Sequence, residues 1–421
     1  MATTNAQKKV YLYADWIGLE GPQLMGVLNA SSIKGKEIFS FEYDPEWLQT
    51  KFQHLIDPDL QFFGGQQYLS DQKRNFGIFL DSSPDRWGET LMLRREAVIA
   101  RIEKRPVKTL MPSDFLLGVY DGHRMGGIRF KLDQFGPFLN DNREMASPTW
   151  TSIRELENAS KRYEEDNVDD PDYLKWVNVL IAPGSSLGGA RPKASVVDPD
   201  KQLWIAKFPS VKDDTNKGAW EMVVNELAKS AGINVAEGMA QKFNNDYHTF
   251  LTKRFDSTPS GGRVHFASAM TLLGHTDGEP GASYLEMVEF LIKNGAQTNK
   301  DLEELWRRIV FNICVKNTDD HLRNHGFLLR DKGWILSPAY DINPVATGAG
   351  LSLNISDTDN SLDLDLALEV AEYFYLKEEQ ANDIIRTVKN AVANWQTIAN
   401  KYGISRSEQE RMANAFLIPA I

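Results

Sequence analysis

The sequence predicts an α+β protein in which a β-rich part precedes a helical part. Residues 10–41 alternate short apolar and polar runs broken by Gly and Pro, which is typical of antiparallel strands. Beyond Ser268, apolar residues recur at helical spacing in three segments, at 284–293, 301–316 and 377–402. The length of 421 residues exceeds one ordinary core. We therefore expect two or three packed units.

The remaining elements are predicted from periodicity and from turn residues. In the helix before Gly232, apolar side chains from Trp220 to Ala231 recur at steps of three and four, and Gly232 supplies a left-handed stop. The other elements expected, in chain order, are helices at 86–102 and 151–163, strands at 194–197, 203–208 and 248–255, and a hairpin at 326–330 and 333–336. The segment 377–402 is long enough for more than one helix.

Three parts are expected along the chain. Residues 140–148 are polar and resemble a linker. The first part is then 1–147, a β-rich N-terminal subdomain, and the second is 148–267, a β-rich lobe with one helix. The third, 268–421, is helical apart from the hairpin.

Composition and charge limit the possible functions. The net charge of −11 argues against binding nucleic acid through the overall field of the protein. The one cysteine, Cys314, lies in an apolar run and is interpreted as a core thiol, in keeping with a reducing compartment. The N-terminus is polar, and no run of about 18 apolar residues occurs. The simplest expectation is a cytoplasmic protein without a membrane span.

The strongest chemical signal is the segment from Asn317 to Asn324 with the later Asp341. Asp319 and Asn324 are five positions apart, the spacing of Asp and Asn in a protein-kinase catalytic loop. In that chemistry the Asp orients the attacking hydroxyl, while the Asn and a later Asp hold Mg²⁺. Asp341 follows the hairpin and supplies the later Asp. The alternative is an ordinary turn, which also favours Asp, Asn and Gly.

A second signal is the small-residue loop from Pro183 to Ala190. Its backbone amides could approach phosphate oxygens closely, although it is neither a Walker A motif nor a strict GxGxxG. Many Gly/Ser loops are only turns, so this loop is weak alone.

Lys207 is the third signal, because it ends an apolar strand much like the Val-Ala-Ile-Lys strand of kinases. In kinases this Lys neutralises the nucleotide phosphates and pairs with a helix Glu. Glu221 flanks the apolar stripe of the next helix and is a better candidate than Glu226. The alternatives are an edge-strand Lys and a helix Glu that are merely solvated.

Other catalytic classes fit less well. His321 and His325 lie near the aspartates, but no HExxH motif or Cys pair accompanies them, which argues against zinc. A Ser-His-Asp hydrolase is disfavoured because the chain has no GxSxG elbow.

Taken together, these segments resemble the HipA family of bacterial serine/threonine kinases, the toxins of HipBA toxin–antitoxin modules. The resemblance covers nearly the whole chain. The N-terminal signatures are Ser83-Pro84-Asp85-Arg86-Trp87-Gly88, Asp114-Phe115-Leu116-Leu117-Gly118-Val119 and Arg124-Met125-Gly126-Gly127-Ile128-Arg129-Phe130. The loop Ser186-Leu187-Gly188-Gly189-Ala190-Arg191-Pro192-Lys193 is similar to the family's phosphate loop, although Arg191-Pro192 departs from the best-known members. Trp220-Glu221 stands where the family usually has Asn-Glu. Lys253-Arg254-Phe255-Asp256 resembles the Glu-Arg-Phe-Asp hinge, with Lys253 in place of Glu.

The resemblance implies a protein-kinase-like two-lobed fold, in which 1–147 is the HipA-type subdomain, 148–267 the kinase N-lobe and 268–421 the C-lobe. It implies ATP and Mg²⁺ as cofactors, Asp319, Lys207 and Glu221 as catalytic residues, and autophosphorylation of Ser186. Asn324 and Asp341 would bind the metal. The implied ATP contacts are Gly184, Ser185, Ser186, Leu187, Gly188, Gly189, Lys207, Lys253, Phe255, His321, Asn324 and Asp341.

The resemblance also implies partners. The substrate would be a serine or threonine of a cellular protein, and known targets in the family include aminoacyl-tRNA synthetases. A small HipB-like helix-turn-helix antitoxin would bind the chain, so that any contact with DNA would be mostly indirect. Two alternatives stay open at this point: a small-molecule kinase on the same fold, and a non-catalytic regulatory partner of a DNA-binding antitoxin.

Overall fold

The structure, a computed structural model, describes residues 7–33, 35–52, 54–69, 73–139, 149–165, 177, 180, 189 and 191–417. The chain forms two compact units. The first contains Met1–Val211 and Asp256–Ala267, and the second contains Lys212–Phe255 and Ser268–Ile421. Strands and helices occur in both, which confirms the predicted α+β class. The division into three parts stays a prediction.

The elements of the first unit are β1 (Gln7–Ala14), β2 (Gln23–Ile33), β3 (Lys36–Tyr43), β4 (Gln67–Tyr68), α1 (Gly77–Asp81), α2 (Arg86–Ile102), α3 (Pro112–Gly118), β5 (Ile128–Lys131), α4 (Ile153–Glu164), β6 (Lys193–Val197) and β7 (Leu203–Lys207). The first five strands form an antiparallel sheet in the order β4-β3-β2-β1-β5. The helix predicted at 86–102 is confirmed at both ends.

Aromatic packing on one face of the sheet forms the core of this unit. The ring of Phe41 contacts those of Phe76 and Phe79, and Phe79 also contacts Phe130. A Cβ at Gly26 would lie 2.5 Å from the Phe41 ring. Glycine is therefore required in β2, because any side chain there would displace this ring.

The predicted strands at 194–197 and 203–208 form the hairpin of β6 and β7. In its antiparallel register, Lys193 lies directly opposite Lys207. Opposite residues of an antiparallel pair point to the same face of the ladder. The two lysines therefore share one face, with Lys193 buried and Lys207 half-buried.

The second unit is mainly helical. Its elements are α5 (Lys217–Ser230), β8 (Gly238–Gln241), β9 (Thr249–Lys253), α6 (Ala269–Leu272), α7 (Tyr284–Asn294), α8 (Thr298–Val315), β11 (Gly326–Arg330), β12 (Gly333–Leu336), α9 (Leu364–Glu369), α10 (Glu378–Val392), α11 (Trp395–Lys401) and α12 (Arg406–Met412). A short strand, β10 (Phe266–Ser268), lies where the chain passes from the first unit into the second. The hairpin predicted at 326–336 is confirmed, and the segment 377–402 does form two helices.

Two helices of this unit lead to the candidate site. On α5 the Trp220 ring stacks against Phe416, whose ring in turn stacks against Trp395 at 4.7 Å. On α8 the Cys314 side chain is fully buried, and burial raises the pKa of its thiol to about 12. The expected core thiol is thus confirmed. Among the described residues, no helix is long and apolar enough to span a membrane.

Candidate active site

The Asp319 loop begins where α8 ends. Lys316 takes a left-handed conformation, with φ 47°, and its N–H donates to the carbonyls of Asn312 and Ile313. The chain turns out of the helix here, since a left-handed residue cannot continue it. Three residues further on, Asp319 is exposed, whereas the next residue, Asp320, is buried. The two adjacent carboxylates therefore lie in opposite environments, Asp319 in solvent and Asp320 in the protein interior.

Asp320 anchors this loop through three hydrogen bonds. It accepts from Asn312 Nδ2 at 2.7 Å, from His325 Nε2 at 3.0 Å and from the Tyr284 hydroxyl. Burial by itself would raise the pKa of Asp320, but His325 and the Tyr284 hydroxyl together hold that pKa below its usual value. A buried carboxylate with these donors is a rigid anchor, because each donor would be left buried and unpaired without it.

Three asparagines connect this anchor to Asp341; we name Asn312, Asn317 and Asn343 the asparagine relay. Asn317 Nδ2 donates to Asn312 Oδ1 at 3.1 Å, and Asn317 Oδ1 accepts from the Asn343 N–H at 3.2 Å. Asn343 Nδ2 then donates to Asp341 Oδ1 at 3.1 Å. The two loops that carry Asp319 and Asp341 are therefore tied by one continuous hydrogen-bonded chain.

Asp341 itself lies in a sparsely populated backbone conformation. Its φ is 57°, in the left-handed region. Such a residue costs about 1–3 kcal/mol and persists where its surroundings hold it, commonly at functional sites. The preceding Tyr340 donates its hydroxyl to the Arg323 carbonyl at 2.8 Å. This bond and the asparagine relay hold the strained residue from both sides.

Asp341 and Glu221 line one cleft, together with Asn225, Ala236, Phe250, Thr252, Ala339, Tyr340 and Ile342. Asn324 lines a neighbouring cavity that shares Ala339, Tyr340 and Ile342 with this cleft. The structure therefore brings three of the predicted residues, Glu221, Asn324 and Asp341, to two adjoining spaces in the second unit.

Glu221 is buried, so its side chain is not the solvated helix carboxylate of the alternative interpretation. The rival candidate Glu226 is engaged elsewhere, because it pairs with Lys401 at 2.6 Å and accepts from the Tyr402 hydroxyl. Helix α5 is held by Glu408, which accepts from the Trp220 indole N–H at 2.9 Å. The geometry therefore favours Glu221 over Glu226 as the candidate catalytic glutamate of α5.

The oxygen groups of Asn324 and Asp341 suit Mg²⁺. Asn324 Nδ2 donates to the Asp319 carbonyl at 2.9 Å, which holds the Asn324 side chain beside the Asp319 loop. Within the described part of the chain, no three His, Cys, Asp or Glu side chains cluster in a way that could hold a metal. Mg²⁺ needs no such cluster, since it is bound by one or two protein oxygens with phosphates and water. The residues present therefore fit this ion.

Three other predicted nucleotide contacts lie in the second unit. The N–H of Lys253 donates to the Glu237 carbonyl at 2.8 Å, and its side chain lies 3.7 Å from the Glu237 carboxylate. The Phe255 ring lies 5.5 Å from that of Tyr340, beside Asp341. His321 has a buried Nδ1 with no hydrogen-bond partner among the described residues.

In the first unit, Gly189 is exposed and its carbonyl accepts from Lys193 Nζ at 2.7 Å. The other predicted loop residues, Gly184, Ser185, Ser186, Leu187 and Gly188, lie outside the described residues. Lys207 lies at the end of β7, as predicted.

Sequence reasoning did not single out the Asp320 anchor, the asparagine relay or the buried pair of Asp85 and Lys193. Asp320 stands within the motif, so its position beside Asp319 was a usable signal. The partner of Lys193 lies 108 positions away, and no local pattern indicates it.

Comparison with solved structures identifies the class of fold. A chain of the Shewanella oneidensis toxin–antitoxin complex of HipA, HipB and operator DNA matches with a TM-score of 0.63 and 17% identity. The match covers 96% of this chain and 94% of that one. The protein thus has the kinase-like α+β fold that the sequence predicts.

A match between the sequence and a family model shows the family of this protein. The model of the HipA-like C-terminal domain matches residues 185–395, half of the chain. The protein therefore belongs to the family with a HipA-like C-terminal domain, as the motifs indicate.

Two relatives illustrate the family. The candidate kinase Y4dM of Sinorhizobium fredii is 27% identical over 284 residues, which cover 59% of this chain and 68% of that protein. Toxin YjjJ of Escherichia coli is 22% identical over 237 residues, which cover 53% of this chain and 50% of YjjJ. The chain thus spans about half the length of YjjJ.

Proposed function

We propose that the protein is an ATP- and Mg²⁺-dependent serine/threonine protein kinase. The observation that carries this proposal is the asparagine relay, which ties Asp320, the neighbour of the exposed Asp319, to Asp341 across two loops. Phosphoryl transfer depends on positioning and on charge stabilisation more than on covalent chemistry. A hydrogen-bonded link between the loop of the proton-accepting Asp319 and the loop of the metal-binding Asp341 meets that requirement.

In this proposal each residue has one role. Asp319 orients the substrate hydroxyl and accepts its proton as the oxygen attacks the γ-phosphorus of ATP, with ADP leaving. Asn324 and Asp341 would hold Mg²⁺, which offsets the charge of the phosphates when bound. Lys207 provides a further cation for the phosphates, and Glu221 is the carboxylate of the cleft that Asp341 also lines. The half-buried position of Lys207 at a strand end is consistent with that role.

The hinge residues and His321 complete the nucleotide site in this proposal. Lys253 and Phe255 would flank the base, with Phe255 packed on Tyr340. The unpartnered Nδ1 of His321 would meet a polar group of ATP. The backbone contacts of a hinge do not depend on side chains, so Lys253 in place of the family's Glu is compatible with it.

The test is transfer of radiolabelled phosphate from ATP to proteins of a cell extract. The Asp319→Ala variant should lose at least about 100-fold in transfer rate, because it lacks the proton acceptor. Asp383→Ala is the matched control, since Asp383 is an exposed carboxylate of α10 in the same unit. Equal labelling by Asp319→Ala and wild type would overturn the assignment, as would a wild type that labels no protein.

Ser186 is proposed as a self-phosphorylation site. Support comes from its place in the loop that resembles the family's phosphate loop. A phosphate dianion there would repel the phosphates of ATP and lower activity. Mass spectrometry of wild type after incubation with ATP should find phosphate on Ser186 and none in Asp319→Ala. A Ser186→Ala protein that stays active for longer than wild type agrees with self-inhibition, and one that is inactive contradicts it.

The proposed partner is a HipB-like helix-turn-helix antitoxin. Support comes from the fold shared with a chain of the HipA, HipB and operator DNA complex. The net charge of −11 disfavours direct binding of DNA, which would then be contacted mainly through the antitoxin. Gel shifts of operator DNA should need the product of a neighbouring helix-turn-helix gene, and binding by the chain alone would contradict this arrangement.

A further inference from the structure

Lys193 is a buried lysine with a defined partner. Its ammonium lies 2.8 Å from Asp85 Oδ2, and both side chains are only 2% exposed. Lysine is almost never buried to this extent unless it is paired. Asp85 belongs to the Ser83–Gly88 signature of the N-terminal part, to which the proposed function gives no role.

The same ammonium also holds the loop. Lys193 Nζ donates to the Gly189 carbonyl at 2.7 Å, four positions earlier in the chain. A charged donor in a buried setting makes a stronger hydrogen bond than a neutral one. The Asp85 side chain thereby fixes, through Lys193, the described end of the predicted phosphate loop.

Hydrogen bonds and ring packing hold the Ser83–Gly88 signature in position. Asp85 Oδ1 accepts from the Gly88 N–H at 2.8 Å and caps α2. The Trp87 indole N–H donates to the Lys193 carbonyl at 3.1 Å, and the Trp87 ring packs edge-on against Tyr163. Lys193 is thus held at both its backbone and its side chain by residues of one short motif.

We propose that Asp85 and Lys193 form a clamp that positions the phosphate loop at Gly189 and so sets the affinity for ATP. This proposal rests on the proposed function, because that function assigns the loop to the phosphates. Asp85 and Lys193 are positioning residues and do not touch the nucleotide. Lys207, which lies opposite Lys193 in the hairpin, is the lysine that the proposed function assigns to the phosphates.

A purely structural ion pair is the competing explanation, and a double variant separates the two. Removing one partner of a buried pair leaves an unpaired charge, whereas removing both is often nearly neutral for stability. We expect Lys193→Met to lower the melting temperature by about 10 °C. Combining it with Asp85→Asn should restore most of that loss, because Asn keeps an oxygen to cap α2.

The test uses full-length protein in the Asp319→Ala background, which prevents self-phosphorylation. Two quantities are measured in the double variant: hydrogen exchange of the amides at 184–191, and the dissociation constant of ATP by calorimetry. We expect faster exchange and a dissociation constant raised about 10- to 100-fold, because a misplaced loop loses phosphate contacts. Exchange as slow as in the parent overturns the clamp, and an unchanged ATP affinity overturns its role in nucleotide binding.

The control is Arg129→Met, which breaks the ion pair with Asp121 in the same unit without contacting Lys193. It should lower the melting temperature and leave the exchange at 184–191 and the affinity for ATP unchanged. Similar effects in the control would overturn the clamp as a specific device. Failure of the parent protein to bind ATP would instead refute the proposed function, and the exchange measurement would still decide the clamp.

Discussion

Asp320 in the second unit and Asp85 in the first both have buried side chains, at 5% and 2% exposed, and each lies beside a predicted functional loop. Asp320 is held by Asn312 and His325, which lie within eight positions of it, and by Tyr284 on α7. Asp85 is held by a lysine 108 positions away. Two of the three donors to Asp320 are therefore close to it in the chain, whereas the Gly189 end of the other loop depends on a distant motif.

The largest effect on this comparison should come from removing the Asp320 anchor. Asp320→Ala leaves the donors of Asn312, His325 and Tyr284 buried without an acceptor. We expect a loss of about 3–5 kcal/mol in the free energy of unfolding, or about 10 °C in melting temperature. The adjacent and exposed Asp319→Ala should melt within about 2 °C of wild type. Calorimetry checks both, and equal melting temperatures for the two variants would remove the distinction between the two carboxylates.

Asp57, a buried carboxylate of the first unit, should make stability depend on pH in the direction opposite to that expected for Asp320. Burial raises the pKa of Asp57 to about 7, although the backbone N–H groups of Ile78 and Asp59 donate hydrogen bonds to the carboxylate and act in the opposite direction. With a folded pKa above the unfolded one, the folded state keeps a proton that the unfolded state has lost. Stability should therefore fall as pH rises from about 4 to 7.

The measurement is the melting temperature at about pH 5 and pH 8. Wild type should lose more stability between these values than Asp57→Asn, which cannot titrate. Asp320 has the opposite sign, because its pKa is lowered in the folded state, and its contribution is lost only as pH falls through the acidic range. If wild type and Asp57→Asn lost the same melting temperature between the two pH values, Asp57 would not be the source of the pH dependence.

A smaller effect is expected from breaking the asparagine relay. Asn343→Ala removes the hydrogen bond to Asp341 while leaving Asp319 and its anchor intact. We expect kcat to fall about 10-fold, because the metal-binding loop loses its alignment, with little change in melting temperature. Asn382→Ala on the exposed surface of α10 is the control and should keep full activity. An unchanged kcat in Asn343→Ala would show that the loop is aligned without the relay.

The smallest effect concerns the end of α8. Lys316 takes φ 47°, which a residue with a Cβ adopts at a cost. Lys316→Gly should raise the melting temperature by about 2 °C by relieving that cost. Lys316→Ala keeps the Cβ and should give no gain. A gain in both variants would point to the lysine charge and not to the backbone.

Periodicity was sufficient for much of the fold. The helix at 86–102 and the hairpin at 326–336 follow directly from apolar spacing and from the turn at Asp331-Lys332. Strand β8, with the sequence Gly-Met-Ala-Gln, was not predicted. It is short and has no β-branched residue, so nothing local distinguishes it from a loop.

The site shows the same limit. Asp319, Asn324 and Asp341 could be selected because their spacing fits a known chemistry. The opposite environments of Asp319 and Asp320 could not be predicted, since burial depends on Tyr284 and Asn312 from other helices. Likewise, the sequence places Lys193 at the end of the predicted phosphate loop and Lys207 in a predicted strand, and it indicates no partner for Lys193. Only the fold shows that Lys193 is paired with Asp85.

Cys314 is the chain's one cysteine, and it lies two residues before Lys316 on the helix that leads into the Asp319 loop. Its thiol is fully buried with a pKa of about 12, so alkylating reagents can reach a thiolate only when α8 opens. The rate of Cys314 alkylation under native conditions therefore measures how often this helix opens locally. Slower alkylation in the presence of ATP and Mg²⁺ would report ligand binding without any engineered label.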